Sequence, residues 1–457
     1  MEENKLFSNM QGGFRRNRST FTKLWITRNI FEDAKINNKF LDVCYIDIKK
    51  AYDSVEHWSI KYILKTYGFN QKFINIIADL YNNQNAQVIT PYGLSDNFLI
   101  TKGIKQGCLF LRGVRQGCLF SPVLFIIFLD PLFLMLENSK LGYKINDKII
   151  PGGAFADDII LYAQNRIMLQ KLVNIVQKYF KFFGLEICVD GRDKSIYTSN
   201  HIINLSIKVD KKVDNKWIST DLPFYKPNES YKYLGVWINL NLDWSEQIKI
   251  SNFIYHKNIA YLFKRCFTAS QTAEILNLVV FPAITYRMSI VNYDINYLKK
   301  WDKMARNLLS YKLKEKQFWG CKHWYLPKYN YGYNLFQFVD LQTINHVSNY
   351  LNFAANFPDK YVKATVRAVF NNDNNEVVKD LQQLLEPLMF KIIHNPSYIF
   401  EDYKVWSMHY CKNNMIYDLF IDANITSINS IINNNKLINN RQLENLFGSI
   451  ICDDRIK

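Results

Sequence analysis

The stretch GGAFADDIILYA, residues 152–163, sets two carboxylates side by side, Asp157 and Asp158, inside an otherwise apolar run. A buried carboxylate without a partner takes up a proton, finds a cation or moves to the surface. The flanking pattern predicts two short strands within Ile149 to Tyr162, hinged near Ala156 to Asp158. A tight turn there would project both acids from one end of a buried sheet.

Upstream, FLDVCYIDI from Phe40 reads as a short buried strand ending near Asp47, which brings a third acid into range. Three converging carboxylates repel one another unless divalent cations neutralise them. Hard oxygen donors with no nearby His or Cys favour Mg²⁺ or Mn²⁺ over zinc. Two such ions about 3.5 to 4 Å apart serve phosphoryl transfer. A lone Asp-Asp pair is more often a turn or a helix cap, so the order and spacing of further motifs must decide.

Around these strands, Ser54 reads as the N-cap of a helix whose apolar face comprises Val55, Trp58, Tyr62 and Leu64 to Tyr67, closing at Gly68. Phe98 to Ile104 reads as extended. Ser121 reads as an N-cap, with Pro122 at the first position of a helix running on over VLFIIFLDPLFLML, Val123 to Leu136. Asp130 and Pro131 interrupt that run, and it falls short of the ~20 residues of a membrane span, so a buried core helix is expected. Met168 to Gly184 reads as an amphipathic helix with a glycine cap, followed by strands at Leu185 to Val189, Ser195 to Thr198 and Tyr233 to Ile238. Strands and helices mix without a regular βαβ repeat, which indicates an α+β fold with helices on one face of the sheet.

Beyond about residue 245 the pattern turns helical. Tyr297, Trp301, Met304, Ala305 and Leu308 form one apolar stripe, with Lys299, Lys300, Lys303 and Arg306 on the other side. Such a face is solvated or tracks phosphates.

The totals agree with a polyanion partner. Lys and Arg number 57 against 41 Asp and Glu, a net charge of +16 over 457 residues, although charge alone does not separate nucleic acid from an anionic membrane. The length implies two to four domains. Eight scattered cysteines without a CxxC pair indicate reduced thiols in an intracellular protein, and the first 20 residues have no apolar segment of a secretion signal.

Taken in order, QGGFRRNRST (11–20), YIDIKKAYDSV (45–55), GVRQGCLFSPVLF (113–125), AFADD (154–158), FGLEI…DKS (183–195) and YLGVWI (233–238) resemble the reverse transcriptases of non-LTR, LINE-like retrotransposons. The resemblance implies a right-hand polymerase fold: partial fingers over 1–40, an antiparallel palm backed by helices with the remaining fingers elements over 41–245, a helical thumb over 246–340 and a helical extension over 341–457. It implies RNA-directed DNA synthesis on a DNA primer from dNTPs. Asp47, Asp157, Asp158 and the Ile48 carbonyl would hold two Mg²⁺ ions, with Mn²⁺ as a substitute. Tyr52 would exclude a 2′-hydroxyl, Gln116 and Gly117 would contact the incoming nucleotide and template, and Lys194 would stabilise charge or donate a proton. Arg15, Arg16 and Arg18, with Tyr233, Leu234 and Gly235, would bind nucleic acid. No membrane partner is expected. A nuclear location is expected for target-primed insertion.

The sequence departs from the family pattern in two places. GIKQGCLF (103–110) and GVRQGCLF (113–120) are one phrase written twice, and only the second runs into Ser-Pro and the apolar helix. Function is therefore assigned to Gln116. Only ten residues precede Gln11, where the family carries further fingers strands. Both features raise the alternative of a catalytically impaired remnant that binds RNA without polymerising. No endonuclease or RNase H pattern is legible, and Cys321 and His323 lack a second ligand pair and read as structural.

Overall fold

The run DVCYI forms β1, Asp42–Ile46, every residue of it buried, because branched and aromatic side chains on both faces suit a strand covered on both sides. The computed structural model describes residues 6–16, 18–81, 85–99, 103, 120–191, 194–201, 205–214, 216–314, 321–325, 332–339, 341–342, 345, 359–362 and 364–365. Within them the helices are α1 (Thr20–Ile36), α2 (His57–Thr66), α3 (Gln71–Tyr81), α4 (Ser121–Asn138), α5 (Arg166–Phe183), α6 (Ser245–Phe263), α7 (Ala269–Ile275), α8 (Phe281–Met288) and α9 (Ile295–Leu313). After β1 come four two-residue strands, β2 (Asn85–Ala86), β3 (Ile89–Thr90), β4 (Gly93–Leu94) and β5 (Phe98–Leu99). The later strands are β6 (Tyr143–Ile145), β7 (Lys148–Ile150), β8 (Gly152–Phe155), β9 (Asp158–Ala163), β10 (Ile196–Ser199), β11 (Lys208–Val213), β12 (Lys216–Asp221), β13 (Phe224–Tyr225), β14 (Tyr231–Tyr233) and β15 (Val236–Ile238).

The chain divides into two units, one of residues 1–234 with 238–242, the other of 235–237 with 243–457. The first is built on a five-stranded sheet in the order β13-β10-β1-β9-β8. β1 lies between two antiparallel neighbours, paired from Asp42↔Ala163 to Ile46↔Ile159 with β9 and from Asp42↔Ser199 to Tyr45↔Ile196 with β10. One end of this sheet is pinned by a buried ion pair. Arg166 donates through Nε to Asp42 Oδ1 at 3.0 Å and through Nη1 to the Leu205 carbonyl at 2.6 Å, with its guanidinium 4.4 Å from the Tyr197 ring centre.

Helix α4 is long and apolar enough to cross a membrane, yet most of its side chains are buried inside the protein. It runs unbroken through Pro131 and begins at Ser121 itself, with Phe120 in the N-cap position and Pro122 in the first turn, where a missing N–H costs nothing. Asp130 in its middle accepts hydrogen bonds from Tyr67 Oη at 2.5 Å and Ser8 N at 2.9 Å. Burial nevertheless raises its pKa to about 6. Helix α5 follows the sequence pattern, capped by Asn165 and closed by Gly184 in the left-handed region at φ 73°.

Several sequence expectations need correction. Ser121, expected as an N-cap, is the first residue of α4. Tyr233 to Ile238, expected as one strand, is divided between β14 and β15 by a turn at Leu234 and Gly235. Helix α2 starts at His57, and Ser54 instead donates through Oγ to the Lys49 carbonyl at 3.0 Å. Its buried face is Ser59, Ile60, Ile63 and Leu64, which leaves Trp58 and Tyr62 on the outside. Leu185 to Val189 forms no strand and makes a single bridge, Ile48↔Ile187.

The second unit packs α9 against α6 and α7 around Trp301 and Tyr255, whose rings lie 5.5 Å apart. Phe338 closes this cluster 5.3 Å from Trp301, and its N–H donates to Asp302 Oδ1 at 2.9 Å. The α9 stripe includes Trp301, Ala305 and Leu308 as expected, with Leu298 and Leu309 added, while Tyr297 at its N-terminal end stays exposed.

Candidate active site

The turn between β8 and β9 is two residues long, Ala156 and Asp157, with Phe155↔Asp158 as the last pair of the hairpin. Ala156 stands at φ 57°, a left-handed conformation that costs a non-glycine residue about 1 kcal/mol and needs outside support. Gln11 supplies that support. Its Oε1 accepts from Ala156 N at 2.9 Å and Gly13 N at 2.8 Å, and its Nε2 donates to the Ala156 carbonyl at 3.2 Å. The backbone adds Gly12 N to the Ala154 carbonyl and Ala154 N to the Met10 carbonyl, each at 2.8 Å. Glycine is required at 13, because a Cβ there would lie 2.5 Å from Ala156 N. The QGG segment is thus a clamp on the aspartate turn. The sequence held the signal, a glutamine followed by two glycines, but its partner lies 145 residues away.

Sheet register carries the acids together. Continuing the β1–β9 pairing one step past Ile46↔Ile159 sets Asp47 across from Asp158. Continuing β1–β10 two steps past Tyr45↔Ile196 sets Lys194 across from Asp47 on the other side. Directly opposed residues share a face of the sheet, and the Lys194 ammonium indeed lies 3.0 Å from Asp47 Oδ2. Asp47 N–H donates to Ser195 Oγ at 2.9 Å, and its carbonyl accepts from Cys188 N at 2.9 Å. The Ile48↔Ile187 bridge uses the Asp47 carbonyl and the Lys49 N–H, which turns the Ile48 carbonyl away from Ile187.

The electrostatics record this crowding. Burial, and then the Asp47 charge, raise the pKa of Asp157, offset in part by a backbone hydrogen bond. Asp158 keeps an open edge to solvent, yet the protein around it, followed by the charges of Asp157 and Asp47, pushes it up to about 6. Its hydrogen bond to Asp47 is the main reason that Lys194 holds its proton more tightly. Tyr52 stacks on Phe125 at 4.6 Å and 21°, and burial, then the nearby Asp157 charge, raise its hydroxyl to about 12. Asp47, Asp157, Asp158, Lys194 and Tyr52 therefore form one neighbourhood.

The donor set, carboxylate and carbonyl oxygen alone, suits a hard divalent cation, and both acids stay raised even though the Lys194 charge partly offsets the crowding at Asp158. Among the described residues no three His, Cys, Asp or Glu side chains stand close enough to hold one ion, and Asp47 is turned onto Lys194. Chelation thus requires the Asp47 carboxylate to leave that ammonium.

The remaining expected residues divide. Arg15 points inward, donating to the Ser8 carbonyl at 2.5 Å and the Gln11 carbonyl at 3.1 Å, and Arg18 donates to Asn9 Oδ1 at 3.1 Å. Arg16 is exposed. Tyr233 is buried with its ring 5.6 Å from that of Tyr45, so its side chain is packing rather than a contact surface. Leu234 and Gly235 form the turn after it at φ 47° and 81°. Gln116, Gly117 and most of the duplicated phrase lie outside the described residues; Gly103 is tied back by its N–H to the Val55 carbonyl at 2.8 Å.

Two expectations follow for Gln11. Replacing Gln11 with Leu strands the Ala156 and Gly13 N–H groups, and thermal unfolding should register a loss of about 2–3 kcal/mol. Any activity that depends on the Asp157 position should fall with it.

A family model described as reverse transcriptase (RNA-dependent DNA polymerase) matches residues 1–238, more than half of the chain. The chain belongs to the reverse transcriptase family. Among curated proteins, this reverse transcriptase is similar to the retrovirus-related Pol polyprotein from type-2 retrotransposable element R2DM of Drosophila melanogaster. Identity is 27% over 281 residues, 59% of this chain and 24% of that one. The Pol polyprotein from a type-1 retrotransposable element R2 of Popillia japonica is 25% identical over 234 residues, 50% of this chain and 31% of that one. The transposon TX1 149 kDa protein of Xenopus laevis is 24% identical over 321 residues, 67% and 22% of the two chains. The reverse transcriptase described here thus spans between a fifth and a third of these relatives' lengths. They agree with the LINE-like resemblance that its ordered motifs carry. Among solved structures, apo telomerase from Candida tropicalis is similar over 82% of this chain and 55% of that one, with 13% identity and a TM-score of 0.36; nothing further rests on that likeness.

Proposed function

We propose that this chain is the polymerase portion of a LINE-like retroelement, extending a DNA primer 3′ end on an RNA template with dNTPs. The observation that carries the reading is the gathering of Asp47, Asp157, Asp158 and Lys194 at one end of the central strands, by strand register together with the clamped turn that holds Asp157. In this reading Asp47, Asp157, Asp158 and the Ile48 carbonyl hold two Mg²⁺ ions, for which Mn²⁺ can substitute. Bound there, divalent cations activate the attacking primer oxygen and neutralise the leaving phosphate. Lys194, freed from Asp47, contributes its charge and proton toward the triphosphate. Arg16, Leu234 and Gly235 face nucleic acid, as do Gln116 and Gly117. Residues 41–245 act as palm with the later fingers elements, 246–340 as thumb and 341–457 as a further extension.

Tyr52, backed by Phe125, excludes a ribose 2′-hydroxyl by bulk. Tyr52→Val should lower the preference for dNTPs over rNTPs by ~10- to 100-fold, and Tyr52→Phe should keep it. Single-nucleotide incorporation with paired dNTP and rNTP titrations reads this. The reading as a whole is tested by primer extension on poly(rA)/oligo(dT) with Mg²⁺, against an Asp157→Asn, Asp158→Asn control. Incorporation by the unaltered chain alone supports it. None by either, with RNA binding intact, identifies a non-polymerising remnant.

A further inference from the structure

The two helices α2 and α5 bring three large aromatic side chains to the surface side by side. Trp58 is 47% exposed, Tyr62 51% and Phe182 60%. The Trp58 ring lies 6.3 Å from Tyr62 and 6.1 Å from Phe182, and Tyr62 lies 6.3 Å from Phe182. Rings of this size, about half open, leave on the order of 300 Å² of contiguous apolar surface, comparable with the largest patch of an ordinary monomer, which is often functional. The rings are also held in place. Trp58 stacks at 5.8 Å and 28° on Phe183, which is buried and 4.7 Å from Tyr179. A platform fixed in this way loses little side-chain entropy when something lies on it.

The charge around the platform selects the occupant. HWSIKYILKT and RIMLQKLVNIVQKYFKFF contain no acidic residue, and Lys61, Lys65 and Lys178 lie within one helical turn of the exposed rings. Glu56 sits before α2 at its N-terminus, where the helix dipole favours an acid. Open aromatic faces bordered by ammonium groups match the two repeating features of a single-stranded nucleic acid, flat bases and phosphates. We propose that the Trp58, Tyr62 and Phe182 face is a binding platform for single-stranded nucleic acid, separate from the aspartate site. The inference stands whether or not the chain polymerises, because binding is read without turnover.

The test uses the full chain and an oligouridylate of about 12 nucleotides carrying 5-iodouracil, which crosslinks to stacked aromatic rings on irradiation. Crosslinked peptides containing Trp58, Tyr62 or Phe182 are expected. Anisotropy titration should show roughly tenfold weaker binding for Tyr62→Ala with Phe182→Ser. Lys61→Gln with Lys65→Gln should flatten the dependence of log affinity on log salt by about 1.4. Since these side chains are outside the core, an unchanged melting temperature separates lost contact from lost fold. Crosslinks confined to other peptides, or variants that bind as the parent does, overturn the proposal. So does a dimer, or binding to phosphatidylserine vesicles, that the same substitutions abolish while oligonucleotide binding persists.

Discussion

Asp157→Asn combined with Asp158→Asn should reduce primer extension by three orders of magnitude or more, about 4 kcal/mol of transition-state stabilisation, and at the same time make the metal-free protein more stable at neutral pH. The second effect follows from the direction of the shifts. Asp158 is raised to about 6 in the folded chain and Asp157 is raised as well; an unfolded Asp titrates near ~3.9. Between those values the folded state holds more protons than the unfolded one, so these groups make stability fall as pH climbs from about 4 to about 6, and the loss persists above. With the open edge of Asp158 and solvent screening allowed for, the contribution is about 1 kcal/mol. Thermal unfolding in EDTA should therefore rise by about 2 °C for the double variant at neutral pH, with no gain below pH 4. Added Mg²⁺ should stabilise the parent and leave the variant unmoved, since binding to the folded state alone shifts the equilibrium. A double variant less stable than the parent at pH 7.5 would contradict the crowding of charge at this turn.

The largest stability effect is expected at the other end of the central strand. Arg166→Met should cost about 3–5 kcal/mol, because Asp42, wholly buried, would lose its guanidinium partner and be left with His201, 3.5 Å from its other oxygen. Arg166 is itself almost wholly buried and loses three interactions at once, with Asp42, the Leu205 carbonyl and the Tyr197 ring. The melting transition of the first unit should drop by about 10 °C, with faster amide exchange in β1, β9 and β10. Adding Asp42→Asn to Arg166→Met should recover part of the loss, since a neutral amide is less costly to bury without the guanidinium than a carboxylate. The exposed pair Lys181–Asp210 at 2.6 Å is the control, and Lys181→Gln should change stability by less than about 0.5 kcal/mol.

Local pattern determined several elements of this protein outright. The buried run before Asp47, the hinge at Ala156 to Asp158 and the Met168-to-Gly184 helix were all legible, because each is decided by neighbours a few residues away, strand propensity, turn chemistry and the glycine cap; the helix opens two residues earlier, at Arg166 behind Asn165. The ordered motifs also determined the family, since six phrases in one sequence order carry more information than any single one of them.

What the tertiary structure decided is how side chains from distant segments are used. Arg15 reads in sequence as a cation for phosphate, but it is spent on backbone carbonyls of Ser8 and Gln11. Tyr233 reads as a contact residue and is buried beside Tyr45, while Trp58 and Tyr62 read as core and stand outside. The helical period at α2 permits either apolar stripe to face inward, and only packing against α4 and α3 selects Ile60, Ile63 and Leu64. The acidic cluster depends on the same kind of choice: Asp47 meets Asp158 and Lys194 only because β1 enters between β9 and β10 in one register, and a shift of one residue would turn Asp47 to the opposite face. Sequence sets which residues are available to a strand or helix; long-range pairing sets which of them share a face.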